Sequence, residues 1–119
     1  MDIPHLKAEL NHHRMEWNEL EVDFDRTEEK ILDYIRTSQA EKTLKHFETL
    51  KDIENRMRPI RNNLIFVYEN LAQASRQKGN LAEENEFKSK AADFYKNRYS
   101  RNERRIQLIG VLNRNGIMV

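Results

Sequence analysis

Apolar residues recur along the first two thirds of the chain in two stripes, with steps that alternate between three and four. The first stripe runs Ile3, Leu6, Leu10, His13, Trp17, Leu20, Phe24, Thr27, Ile31, Tyr34. The second runs Thr43, His46, Leu50, Ile53, Met57, Ile60, Leu64, Val67, Leu71, Ala74. A 3.5-residue repeat keeps one side of a helix turned toward a partner, and two such helices wind around each other left-handedly. The pattern predicts helices over about 3–37, 39–78 and 81–112, arranged as an elongated antiparallel three-helix bundle in one domain, 1–119. The third stripe is sparser. Phe87, Ala91, Phe94 and Tyr95 open it and Ile106, Leu108, Ile109 and Leu112 close it, with Tyr99 the one large apolar side chain between Lys96 and Arg105.

Punctuation agrees with this reading. Asp2 is placed to cap the first helix, with Pro4 in its first turn, where a missing N–H costs nothing. Ser38-Gln39-Ala40-Glu41 has the form of a capping box, with Ser38 expected to accept from the Glu41 amide. Gly79 suits a left-handed helix C-terminus and Asn80 the N-cap that follows, with Glu83 at its third position. Asn115-Gly116 ends the third helix and leaves the apolar tail Ile117-Met118-Val119. Pro59 removes a hydrogen bond inside the second helix and restrains Arg58. The heptad phase passes through Pro59 unbroken, from Met57 to Ile60 to Leu64. A kink is therefore expected there rather than the boundary of a fourth helix.

Composition narrows the class. With 119 residues, 38% of them apolar, the chain can bury a single core. Only three Gly and two Pro argue against a β-rich fold, which would need a turn every ten residues or so. Without cysteine, neither a disulfide framework nor a thiolate metal site can form. The N-terminus has no apolar core of a secretory leader, and no run is long enough to span a bilayer. The expected location is the cytoplasm.

Catalytic patterns are missing. A carboxylate-bridged metal site in a bundle needs Glu-x-x-His pairs from several helices, and Glu9 with His12 is the one such pair. His13, on the first stripe, reads as an edge-of-core side chain. His46, on the second, is too far from it to share a ligand. There is no Gly-x-Ser-x-Gly elbow and no glycine-rich phosphate loop. Neither a catalytic residue, a cofactor, a metal nor a small-molecule substrate is expected, and no membrane partner.

Charge is where the chain is uneven. Residues 16–33 hold eight acids and two bases, whereas 96–105 hold Lys96, Arg98, Arg101, Arg104 and Arg105 against Glu103. Arg98, Arg101 and Arg105 share one helix face, flanked by Tyr95 and Tyr99. Two uses of that face compete: pairing inside the bundle with Glu16, Asp23 and their neighbours, or binding an outside ligand. Arginine and tyrosine are enriched at protein interface hot spots. Arginines with stacking tyrosines would also suit nucleic acid.

Trp17 and Phe94, with Arg104, Arg105 and Leu108 after Phe94, resemble a spectrin repeat, which carries an aromatic on its first and third helices and an Arg-Arg-x-x-Leu run late in the third. Phe94 stands where such repeats usually have Trp. Glu28-Glu29-Lys30-Ile31, Pro59, Tyr68, and Leu81-Ala82-Glu83-Glu84 with Phe87 and Ala91 are similar in order and spacing to the tubulin-binding cofactor A family, small three-helix chaperones. Leu71, Gly79, Leu81 and Ala91 also resemble one tetratricopeptide hairpin, from which Glu84 and Lys88 depart. All three resemblances imply a helical bundle that binds protein.

The expected function is a non-catalytic interaction module, acting as adaptor, chaperone or assembly subunit. Tyr95, Arg98, Tyr99, Arg101 and Arg105 are its candidate partner-binding residues. The alternatives are a nucleic-acid binder using the 96–105 face and a helical homodimer with a structural role.

Overall fold

A computed structural model describes residues 2–96 and 100–119. Among them every regular element is a helix: α1 Ile3–Arg36, α2 Ala40–Gln77, α3 Leu81–Lys96 and α4 Ser100–Arg114. The first two match the elements read from the heptads to within a few residues. The third expected helix is described as α3 and α4, and Asn97, Arg98 and Tyr99 between them lie outside the described residues. α2 runs through Pro59 without ending. No described helix is long and apolar enough to cross a membrane.

Three helix ends use one device. After α2, the Asn80 amide donates to the Ser75 carbonyl and the Gly79 amide to the Arg76 carbonyl, with Gly79 at φ 76°. After α4, Ile117 donates to Leu112 and Gly116 to Asn113, again with Gly116 at φ 76°. These are Schellman caps, and the second accounts for the half-buried Ile117. α1 ends the same way, through Gln39 to Tyr34 and Ser38 to Ile35, with Ser38 at φ 58° in the glycine position. This corrects the expected capping box. Ser38 closes α1 rather than opening α2. Gln39 is the residue whose carbonyl receives the first bond of α2, from Thr43. Asn80 does cap α3, its Oδ1 accepting from the Glu83 amide at 3.1 Å.

The chain forms two compact units, one from Met1–Asn18 with Arg58–Arg98 and one from Glu19–Met57 with Tyr99–Val119. α1 and α2 each contribute a stretch to both. The first unit buries Leu6, Leu10 and Trp17 of α1, Leu64, Ile65, Val67, Tyr68, Leu71 and Ala72 of α2, and Ala91 of α3. Aromatic rings knit it together. Trp17 meets Phe94 edge-on with centroids 5.4 Å apart, and Tyr68 stacks on Phe94 at 5.9 Å and tilts against Phe87 at 6.3 Å. Offset and edge-on pairs of this kind add about 0.5–1.5 kcal/mol each beyond area burial.

The second unit buries Leu20, Phe24 and Ile31 of α1, Phe47, Leu50, Ile53 and Met57 of α2, and Leu108 and Leu112 of α4. Thr27 and Thr43 sit buried on the stripes. Their hydroxyls donate to the carbonyls of Asp23 and Gln39, four residues back, so neither polar group is stranded.

α2 carries a further stripe that the first reading does not contain: Leu44, Phe47, Lys51, Glu54, Arg58, Arg61, Ile65, Tyr68, Ala72, Ser75. Its spacing also alternates three and four, and Phe47, Ile65, Tyr68, Ala72 and Ser75 on it are buried. Tyr68 and Ser75 face α3, Ser75 donating to the Glu83 carboxylate at 3.3 Å. Glu54 faces α4.

Candidate functional site

The basic stretch is built by the sequence of α4. Arg101, Arg104, Arg105, Leu108 and Leu112 recur at steps of three, one, three and four, so all fall on one side of that helix. Leu108 and Leu112 are buried. Within the second unit the three arginines meet carboxylates. Arg101 Nη2 donates to Glu21 at 2.7 Å, and its side chain is only 12% exposed. Arg104 grips Glu28 with Nε at 3.1 Å and Nη2 at 2.5 Å, and Nη2 also reaches Asp25 at 2.9 Å. Arg105 Nε donates to Glu54 of α2 at 2.7 Å, and its Nη2 to Asn102 at 2.7 Å. The guanidinium carbons of Arg101 and Arg104 lie 5.7 and 4.9 Å from the centre of the Phe24 ring.

The geometry is of the stronger kind: a two-pronged carboxylate grip with cation–π support from a buried ring. The hydrogen bonds it donates to Glu28 hold the Arg104 guanidinium above its ordinary range, desolvation opposes this, and Asp25 adds to the rise. Arg104 therefore stays charged at any physiological pH. The partners differ in detail from those read off the charge runs. Glu16 is bound within its own helix by His12 at 2.7 Å. The α1 acids that α4 meets are Glu21, Asp25 and Glu28, which step by four and three along that helix.

The remaining candidates separate. Tyr95, expected on the apolar stripe of the third helix, stands at 51% exposure, its hydroxyl donating to Glu69 of α2 at 3.1 Å. Ile106, expected toward the far end of the same stripe, is exposed as well. Phe66, one turn before Glu69, is 55% exposed and escaped the sequence reading because it lies off the heptad stripe. Arg98 and Tyr99 lie outside the described residues. Thus Arg101 and Arg105 come together in the arginine clasp, while Tyr95 belongs to the first unit.

The histidines do not gather. Glu9 pairs with His5 at 3.1 Å and His12 with Glu16, so the Glu9–His12 pair is divided between two neighbours. His13 is half-buried with its Nδ1 unpartnered. His46 lies against Tyr34, ring centroids 4.9 Å apart, its Nδ1 at 2.8 Å from the Lys42 carbonyl. Among the described residues no group of three or more acids and histidines is arranged to hold a metal ion. A groove of about 270 Å³ in the second unit is lined by Glu28, Leu32, Arg104, Gln107, Leu108 and Val111. Its two charged groups are already bound to each other.

No protein-family model, no curated protein and no solved structure matches this chain.

Proposed function

We propose that the chain is a non-catalytic protein-interaction module, an adaptor, chaperone or assembly subunit, that engages a protein partner through Tyr95, with Arg98 and Tyr99, close to it in sequence, as further candidates. The observation that carries this is the exposure of Tyr95 on α3 with its hydroxyl tethered to Glu69. An aromatic ring held in place at the surface binds at low entropic cost. Exposed Phe66 in the same unit enlarges the apolar area on offer. Arg101 and Arg105 contribute by seating α4 rather than by touching the partner, since both have carboxylate partners within the chain.

In this reading α1 and α2 form an antiparallel hairpin with a kink at Pro59. The Tyr34–His46 contact across the 37–39 connection supports the hairpin. The Trp17–Phe94 contact supports the likeness to a spectrin repeat.

Capture of a protein from lysate, with and without nuclease, tests the reading, using the wild-type chain beside Tyr95→Ala and the pair Arg98→Glu with Tyr99→Ala. Loss of the captured protein in both variants, at unchanged helicity, is expected. Equal capture by all three chains overturns the assignment of the face. Material that disappears with nuclease moves the protein into the nucleic-acid-binding class.

A further inference from the structure

α4 is held to its unit by charge as well as by apolar contact. Its buried apolar side chains are Leu108 and Leu112, while Arg101, Arg104 and Arg105 bind acids on two other helices. Seen from the other side, α1 and α2 present a seat. Glu21, Asp25, Glu28 and Glu54 supply the charge, the Phe24 ring lies beneath two guanidinium groups, and Leu32 lines the groove against Leu108 and Val111. With α4 lifted, four carboxylates would surround buried Phe24 and half-exposed Leu32. Carboxylates stranded beside an apolar floor favour recapture of a basic amphipathic helix.

We propose that this seat is an interaction site for the α4 helix of a second copy of the chain, so that two copies exchange α4 and rebuild the arginine clasp in trans. The second copy is the occupant because α4 is the helix shown to match the seat, with arginines at i, i+3 and i+4 and leucines at i+7 and i+11. The proposal deepens the protein-binding reading by naming a partner and a surface. It rests on residues other than Tyr95, so failure of either leaves the other intact. Docking within one chain enjoys an effective concentration in the millimolar range. Exchange therefore gains ground when the clasp in cis is weakened or the chain is locally concentrated.

A charge-swapped pair of full-length chains tests it. In Arg104→Glu the new carboxylate faces Asp25 and Glu28, so its own α4 is repelled. In Glu28→Arg the new guanidinium faces Arg104, with the same result. Mixed, the first chain's α4 meets a basic position 28 and the second chain's α4 meets an intact acidic seat. Light scattering of the mixture is expected to show the mass of a one-to-one dimer. Amide exchange in α4 is expected to slow about tenfold or more relative to either variant alone. A mixture that keeps the monomer mass, with α4 as unprotected as before, overturns the proposal. Each variant carries one substitution, and the Trp17 fluorescence of the first unit checks that it has folded. Should either fail that check, Arg105→Glu with Glu54→Arg repeats the exchange at the second contact.

Discussion

At the scale of single residues, the most telling position is Ser38. It occupies the left-handed corner that Gly79 and Gly116 fill at the other two caps. Left-handed backbone crowds the β-carbon of any L-residue other than glycine, at a cost of roughly 1 kcal/mol. Ser38→Gly is therefore expected to raise the free energy of unfolding by about 0.5–1 kcal/mol, less the entropy that glycine restores to the unfolded chain. Urea titration at constant slope measures it. An unchanged or lower midpoint would mean that the hydroxyl supports the turn. The sequence suggested a different role for Ser38 because Ser-x-x-Glu is an N-cap signature, and an N-cap residue is extended at negative φ whereas a Schellman C′ residue is left-handed at positive φ. Sequence does not display that sign unless the residue is glycine. At Gly79 it was, and both the C′ residue and the Asn80 cap were legible.

At the scale of elements, the first stripes of α1 and α2 were fully legible because apolar residues hold the period over many turns. The further stripe of α2 was not. Lys51, Glu54, Arg58 and Arg61 interrupt it with charge, so hydropathy alone sees a solvated face where Phe47, Ile65 and Tyr68 are buried. α4 fails by the same rule. Its inward side is largely arginine, and an arginine satisfied by carboxylates over an aromatic ring reads as surface until the acids of another helix are placed against it. Pro59 gives the element-scale prediction. α2 continues through it, yet proline has no N–H for the Asn55 carbonyl and its ring crowds that turn. Pro59→Ala is expected to stabilise the chain by up to about 3 kcal/mol, the proline penalty inside a helix. Calorimetry on the two chains decides it. A loss of stability would show that packing on both sides relies on a bend at this position.

At the scale of the whole molecule, the two units divide the available chemistry. The first packs aromatic rings against one another, the second adds an arginine–carboxylate cluster to its apolar core, and the folded state couples to pH through the first. Tyr68 is buried among Phe87 and Phe94, and burial pushes its phenol above the ordinary tyrosine range, with Arg14 opposing the shift. A phenol whose pKa is raised by folding keeps its proton longer in the native state than in the unfolded one. Its contribution to stability is therefore complete below the unfolded value of about 10 and is lost as pH climbs through the native value. Melting temperature is expected to fall above about pH 10, and Tyr68→Phe, which keeps the ring and removes the proton, is expected to flatten that limb. Arg104 does not produce such a limb in this window, because its raised pKa keeps it charged throughout. The comparison to make is the slope between pH 9 and pH 11 in wild type and Tyr68→Phe. Equal slopes would place the alkaline loss elsewhere and would remove Tyr68 as the group that links ionisation to unfolding. A flattened slope would show that the ring cluster opens with the global transition, so that ionising one phenol reports on the whole chain.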